Sequence, residues 1–273
     1  VTLISELTAK GLAHPPDFVI TNTVYETVMG SQAYGCSQDS SDKDVYGFCI
    51  PPLDMIFPHL RGEIDGFGTQ QQRFEQYQEH HLVDNTAEYD ISIYSIVKYF
   101  QLMMGNNPNM LDSIFTCDVD VITQTKISKM VRDNRKIFIH RGAYYKYTGF
   151  AHSQFHKIKN KNGHLNQSRA ASIATFGYDT KYAGHMLRLM LEAEQILNTG
   201  DFNIKRDGDY LLEVRQGKYS LSELEIEFNR LDKVMLTAYE NSTLQDRPDE
   251  KAIKELLLNC IEEFHGKLEF FKL

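Results

Sequence analysis

Gly30-Ser31-Gln32-Ala33-Tyr34-Gly35, followed after a short polar loop by Ser41-Asp42-Lys43-Asp44-Val45-Tyr46-Gly47, is the stretch that decides how the chain is read. Residues 23–29 lead into it as a short β-branched and apolar run. Residues 44–50 form a second such run, stopped by Pro51-Pro52. Side chains alternate across a strand, so Asp42 and Asp44 point the same way and can grip metal together. Nucleotidyl transfer needs charge neutralised at the attacking oxygen, the α-phosphate and the leaving pyrophosphate, which two Mg²⁺ ions on shared carboxylates supply. Gly30-Ser31 is the complementary part. Glycine lets phosphates approach closely, and the serine hydroxyl and free amides at a helix start donate to them.

Working outward, residues 89–94 alternate like a half-buried strand, and residues 96–104 carry apolar positions at helical spacing until Gly105. Asn106-Asn107-Pro108 restarts the chain. Beyond about residue 120 the pattern is helical, with periodic segments near 124–141, 168–197, 222–240 and 250–264. Ser220 and Glu223 have the spacing of a capping box, and Pro248-Asp249 opens the last helix. The expected division is 1–120, mixed α/β, and 121–273, mainly helical.

Lys181, His185 and Arg188 fall at i, i+4 and i+7, within about 60° of one another on a helix, and read as one basic stripe. Ala183, Met186, Leu187, Met190 and Leu197 hold the broadly opposite face, so this helix can bury one side and offer the other to phosphates.

The net charge of −8 argues against general coating of nucleic acid, but it is unevenly spread. Residues 121–170 hold eleven Lys and Arg against one acid, Asp133, giving +10 there and −18 elsewhere. Tyr144, Tyr145, Tyr147, Phe150 and Phe155 interleave aromatic faces. The segment is therefore read either as an RNA-binding face or as a basic surface that balances acidic neighbours. Cys36, Cys49, Cys117 and Cys260 lie far apart, so neither a zinc knuckle nor a disulfide framework is indicated. No stretch approaches the roughly 18 to 20 apolar residues of a membrane span, and no secretory pattern opens the chain. A cytoplasmic protein is expected, its oligomeric state open. His80-His81 has no partner at metal spacing and is read as loop.

Gly30-Ser31 with Asp42-x-Asp44 resembles the signature of the DNA polymerase β-type nucleotidyltransferases. The match is similar in particular to a branch of predicted nucleotidyltransferases of bacteria and phages, proposed to act in RNA repair. It includes Gly47 with Pro51-Pro52, Asn107-Pro108-Asn109-Met110-Leu111, Tyr178-Asp179-Thr180-Lys181, His185-Met186-Leu187-Arg188-Leu189, Thr199-Gly200 and Arg247-Pro248-Asp249. Lys43 departs from the pattern, since an apolar residue usually stands between the two carboxylates.

The resemblance implies an α/β fold: a polymerase β-type nucleotidyltransferase core, a small mixed sheet with flanking helices, followed by a helical C-terminal domain closing the cleft. It implies a third carboxylate, for which Asp90 is the candidate and Glu88 the rival. Asp42, Asp44 and Asp90 are then both catalytic and metal-holding, with two Mg²⁺ or Mn²⁺ ions. Gly30, Ser31, Lys181, His185 and Arg188 bind the nucleoside triphosphate, ATP being one such substrate. His152 or Gln154, in the similar stretch Gly149-Phe150-Ala151-His152-Ser153-Gln154, is placed at the cleft. The expected activity transfers a nucleoside monophosphate to an acceptor hydroxyl, an RNA end among the acceptors. The alternatives are protein nucleotidylation and a non-catalytic nucleotide-binding or antitoxin-like module.

Overall fold

The computed structural model describes residues 1–37, 42–62, 73–85, 87–160 and 167–267. Helices α1 (Leu3–Ala9) and α2 (Asp17–Asn22) precede strand β1 (Thr23–Val28). After it come the single turn α3 (Gly30–Ala33), β2 (Lys43–Cys49), another single turn α4 (Leu53–Ile56), β3 (Gln76–Asp84) and β4 (Ala87–Ser95). Helices α5 (Ile96–Met104) and α6 (Pro108–Phe115) follow, then β5 (Val121–Gln124) and α7 (Lys126–Asp133). The rest is helical: α8 (Ala143–Asn160), α9 (Gln167–Phe176), α10 (Thr180–Thr199), α11 (Gly208–Arg215), α12 (Leu221–Asn241) and α13 (Glu250–His265).

The five strands form one mixed sheet in the order β3-β4-β2-β1-β5. Only β2 and β4 run parallel among them, and their register sets Asp44 beside Asp90. Gly47 stands where β1 crowds β2: a Cβ there would lie 2.1 Å from the Tyr25 carbonyl oxygen. The period of two sorts the strands cleanly. Val45, Cys49, Ile91 and Ile93 face a small core closed by Ile4, Leu7 and Val19 of α1 and α2. Phe48 and Tyr94 face the main core, with α5, α6 and the later helices. Asp44 and Asp90 share parity with this second set, so strand geometry alone turns both carboxylates toward the helical side.

The fully buried Glu26 of β1 fastens the N-terminal helix to the sheet. Its carboxylate accepts from the amides of Leu3 and Ile4 at 2.7 and 2.9 Å and from the Thr123 hydroxyl of β5 at 2.6 Å.

Strands β1, β2 and β4 and helix α5 lie within two residues of their expected bounds, whereas α1, α2 and β3 have no counterpart in the sequence reading. Ser95 caps α5, and Asn107 caps α6 with Pro108 at its first turn. The Ser220–Glu223 capping box and the Asp249 cap stand where their spacing put them. Three expectations need correction. The segment 124–141 is not one helix, because Thr125 and Ser128 form a capping box that starts α7 only after β5 has joined the sheet edge. The segment 168–197 breaks at Gly177, in left-handed conformation at φ +83°, and restarts where Asp179 caps α10. Residues 143–160, read only for charge and aromatics, form a long helix.

The sheet therefore extends past residue 120, and one core runs through both expected divisions. Residues as distant as Tyr25, Phe100, Met190 and Ile261 belong to it. No helix among the described residues is long and apolar enough to cross a membrane.

Candidate functional site

Where β1 ends, the amide of Met29 donates to the Asp44 carbonyl at 2.7 Å, holding the start of the Gly30 turn against β2. Gly30 has φ +65°, and a Cβ on it would fall 2.1 Å from Asp44 Oδ2. Only glycine lets the backbone pass this close to the carboxylate. The turn and the carboxylate therefore form one wall.

That wall belongs to a cavity of about 720 Å³. Its sheet side carries Gly30, Ser31, Asp42, Asp44 and Asp90; its helical side carries Arg169, Asp179, Lys181, His185, Arg188 and Arg215. Gly30, Ser31, Asp42, Asp44, Asp90, Lys181, His185 and Arg188 thus come to one place. Glu88 lines no part of it and instead holds the exposed His81 ring. His152 is also elsewhere, paired with Asp232 at 2.9 Å and packed on Phe228, and neither it nor Gln154 lines the cavity. Ser41 lies outside the described residues. Lys43 points away from the acids, as strand alternation requires, with its ammonium over the Tyr89 ring.

Burial pushes the Asp44 carboxyl above its usual range. Lys181 opposes this, while Asp90 and Asp42 add to it. Acids that raise one another are short of positive charge, which fits a cation between them. Among the described residues no three His, Cys, Asp or Glu side chains converge into a ready cage for an ion. The donor chemistry still suits Mg²⁺, which keeps water ligands and binds through one or two carboxylates plus substrate phosphates.

Asp90 is held by a device hidden from the sequence. His80 and His81 are not loop but part of β3, at a register shift between Glu79 and Leu82, with His81 at φ +59°. The bulge turns the His81 amide to Asp90 Oδ1 at 2.9 Å and sets His80 Nδ1 3.3 Å from Oδ2. Both carboxylate oxygens are thus engaged from one neighbouring strand.

The expected exposed basic stripe on α10 needs correction. Arg188 is buried: its Nη1 donates to Asp112 and to Glu192 Oε2 at 3.0 Å, and its guanidinium lies 4.3 Å from the centre of the Tyr34 ring. The Tyr34 hydroxyl donates to the same Asp112 at 2.9 Å, tying the Gly30 turn to α6 and α10. His185 is uncharged, pushed down to about 3 by burial and by the positive charge of Arg188, Lys181, Arg215 and Arg169. Lys181 alone matches the picture of an exposed cation facing the acids.

Arg169, Asp179 and Arg215 were not singled out as site residues. Asp179 accepts from the amides of Lys181 and Tyr182 and pairs with Arg169 at 2.8 Å, so the cap that starts α10 also forms cavity wall. A capping residue two positions after a glycine is a legible signal; Arg215 offers none.

The basic segment 121–170 is largely neutralised by acids, many from later in the chain. Lys126 pairs with Glu263, Lys136 with Asp201, Arg141 with Asp246 and Lys159 with Glu225, while Lys129 meets Asp133 and Arg132 meets Asp118. Tyr144 stacks on Tyr239, Phe155 stacks on Phe228, and Tyr147 is buried. Of the two readings given to this segment, the charge-balancing surface accounts for these contacts. Lys161 lies outside the described residues.

The model of the RNA repair pathway DNA polymerase beta family matches residues 10–255. No curated protein matches. Among solved structures, a nucleotidyltransferase-like protein from Exiguobacterium sibiricum 255-15 is similar at 11% identity, over 97% of this chain and 82% of that one, with a TM-score of 0.31.

Proposed function

The chain belongs to the RNA repair pathway DNA polymerase beta family, and we propose that it is a metal-dependent enzyme moving a nucleoside monophosphate from a nucleoside triphosphate to an acceptor hydroxyl. The observation that carries this reading is the pairing of Asp44 and Asp90 in register on adjacent parallel strands, facing a cavity whose opposite wall is cationic.

Asp42, Asp44 and Asp90 would hold two Mg²⁺ or Mn²⁺ ions, which supply charge neutralisation at the reacting phosphate when bound. Gly30 and Ser31 receive the phosphates on the sheet side, and Lys181 meets them from α10. His185, neutral and without a hydrogen-bond partner among the described residues, offers a donor and an acceptor to sugar or base rather than charge to phosphate. Arg188 acts from beneath, fixing Tyr34 and so the Gly30 turn. Asp90 takes the proton of the acceptor hydroxyl as its oxygen bonds to the α-phosphorus; the bond from that phosphorus to the bridging oxygen breaks, and pyrophosphate leaves.

An RNA end is the favoured acceptor, on the strength of the family's description and not of the basic segment, whose charges are largely paired. Protein nucleotidylation and a nucleotide-binding module without turnover are the other outcomes. Replacing Asp42 and Asp44 by Asn should leave the melting transition in place and reduce pyrophosphate release, with Mg²⁺ and RNA or protein acceptors, to background. Turnover surviving in the double variant would refute the assignment. Tight triphosphate binding by the wild type with no release on any acceptor would favour the module.

A further inference from the structure

Four cations line the cavity, and they are not equivalent. Arg188 is engaged by Asp112 and Glu192, and Arg169 by Asp179. Lys181 and Arg215 have no carboxylate partner among the described residues. Arg215 ends α11, partly buried, and its Nη1 donates to the Cys36 carbonyl at 3.1 Å. Its stem lies on Gly184 of α10, where a Cβ would stand 3.3 Å from Arg215 Cγ. The guanidinium is thus fixed at one end by the loop that follows the Gly30 turn and along its length by α10.

A half-buried guanidinium without a counter-ion is costly unless an anion completes it. Its planar fork suits the paired oxygens of a phosphate better than a single ammonium does. The surrounding potential agrees, since Arg215 is among the charges that hold the His185 imidazole neutral. Resting on the nucleotidyl-transfer reading above, we propose that Arg215, with Lys181, forms the subsite for the terminal phosphates of the triphosphate, the part that departs as pyrophosphate. Through the Cys36 carbonyl the same guanidinium also contacts the loop that follows the Gly30 turn.

Calorimetry with a non-hydrolysable α,β-methylene nucleoside triphosphate and Mg²⁺ tests this on the full chain. R215M keeps the stem on Gly184 and removes the fork. It should weaken binding about 10-fold or more and flatten the salt dependence of affinity, with little change in melting. R215K, keeping charge without the fork, should fall between; if R215M unfolds, a loss of affinity in a normally melting R215K carries the same decision. Wild-type affinity in the variants would overturn the role of Arg215 and leave the enzymatic reading standing. A wild-type chain that binds no triphosphate would overturn both.

Discussion

Histidine 185 shows how far a residue's surroundings can move it from its sequence reading. Its spacing from Lys181 and Arg188 places it on their face of α10, and it does line the same cavity. Spacing cannot supply its protonation state, which burial sets first, with the positive charges of Arg188, Lys181, Arg215 and Arg169 adding to it. The free imidazole titrates near 6.5 and the folded one at about 3, so between these values the unfolded chain binds the extra proton. His185 therefore adds an acid sensitivity: stability falls as pH drops through that window and is unaffected by this group above it. H185Q should raise the melting temperature relative to wild type at about pH 4.5 and change it little at about pH 7.5. An equal difference at both pH values would show that the imidazole is not held neutral. The neighbouring error has a similar origin. Glu192 lies four residues after Arg188 and is legible as a helical ion pair, but Asp112, which also engages the guanidinium, lies far back in the chain.

Among elements, those with a strong local period were readable and those decided by a cap or a distant strand were not. Strands β1, β2 and β4 and helix α5 lie within a residue or two of their expected bounds, since alternation and helical spacing are local properties. The bulge in β3 has no such signature: polar residues around His80-His81 look like loop until β4 is paired against them. The break before α10 was masked by apolar periodicity that continues across it. There the cap decides. Asp179 satisfies two otherwise orphaned amides, and Gly177 supplies the left-handed turn that ends α9. D179A should cost about 1 kcal/mol from the lost cap, with a further loss from the broken Arg169–Asp179 pair. D179N, which can still cap, should recover the first part only. Chemical denaturation of the three chains would separate these contributions, and an unchanged D179A would mean that α10 starts without help.

Over the whole molecule, Arg188 joins parts that the sequence had assigned to separate domains. It ties α10 to Asp112 of α6 and, through Tyr34, to the turn beside Asp44. Burial pushes the Glu192 carboxyl well above its usual range and Asp112 upward too, against the pull of the guanidinium. R188M would leave two buried acids without a cation and should destabilise the fold by about 3–5 kcal/mol. Adding D112N and E192Q should restore part of that loss, because neutral groups are cheaper to bury alone. Urea denaturation checks both, and an R188M chain as stable as wild type would show that the network holds nothing together.

The place of α13 in the chain has a consequence for how the protein is made. Ile253, Leu256, Cys260 and Ile261 of this helix join the core that α5 and α7 also serve. A ribosome delivers α5 and α7 well before α13, so on a nascent chain the surface that α13 covers is still wet. Chains stalled before residue 250 are the species on which chaperones would be found.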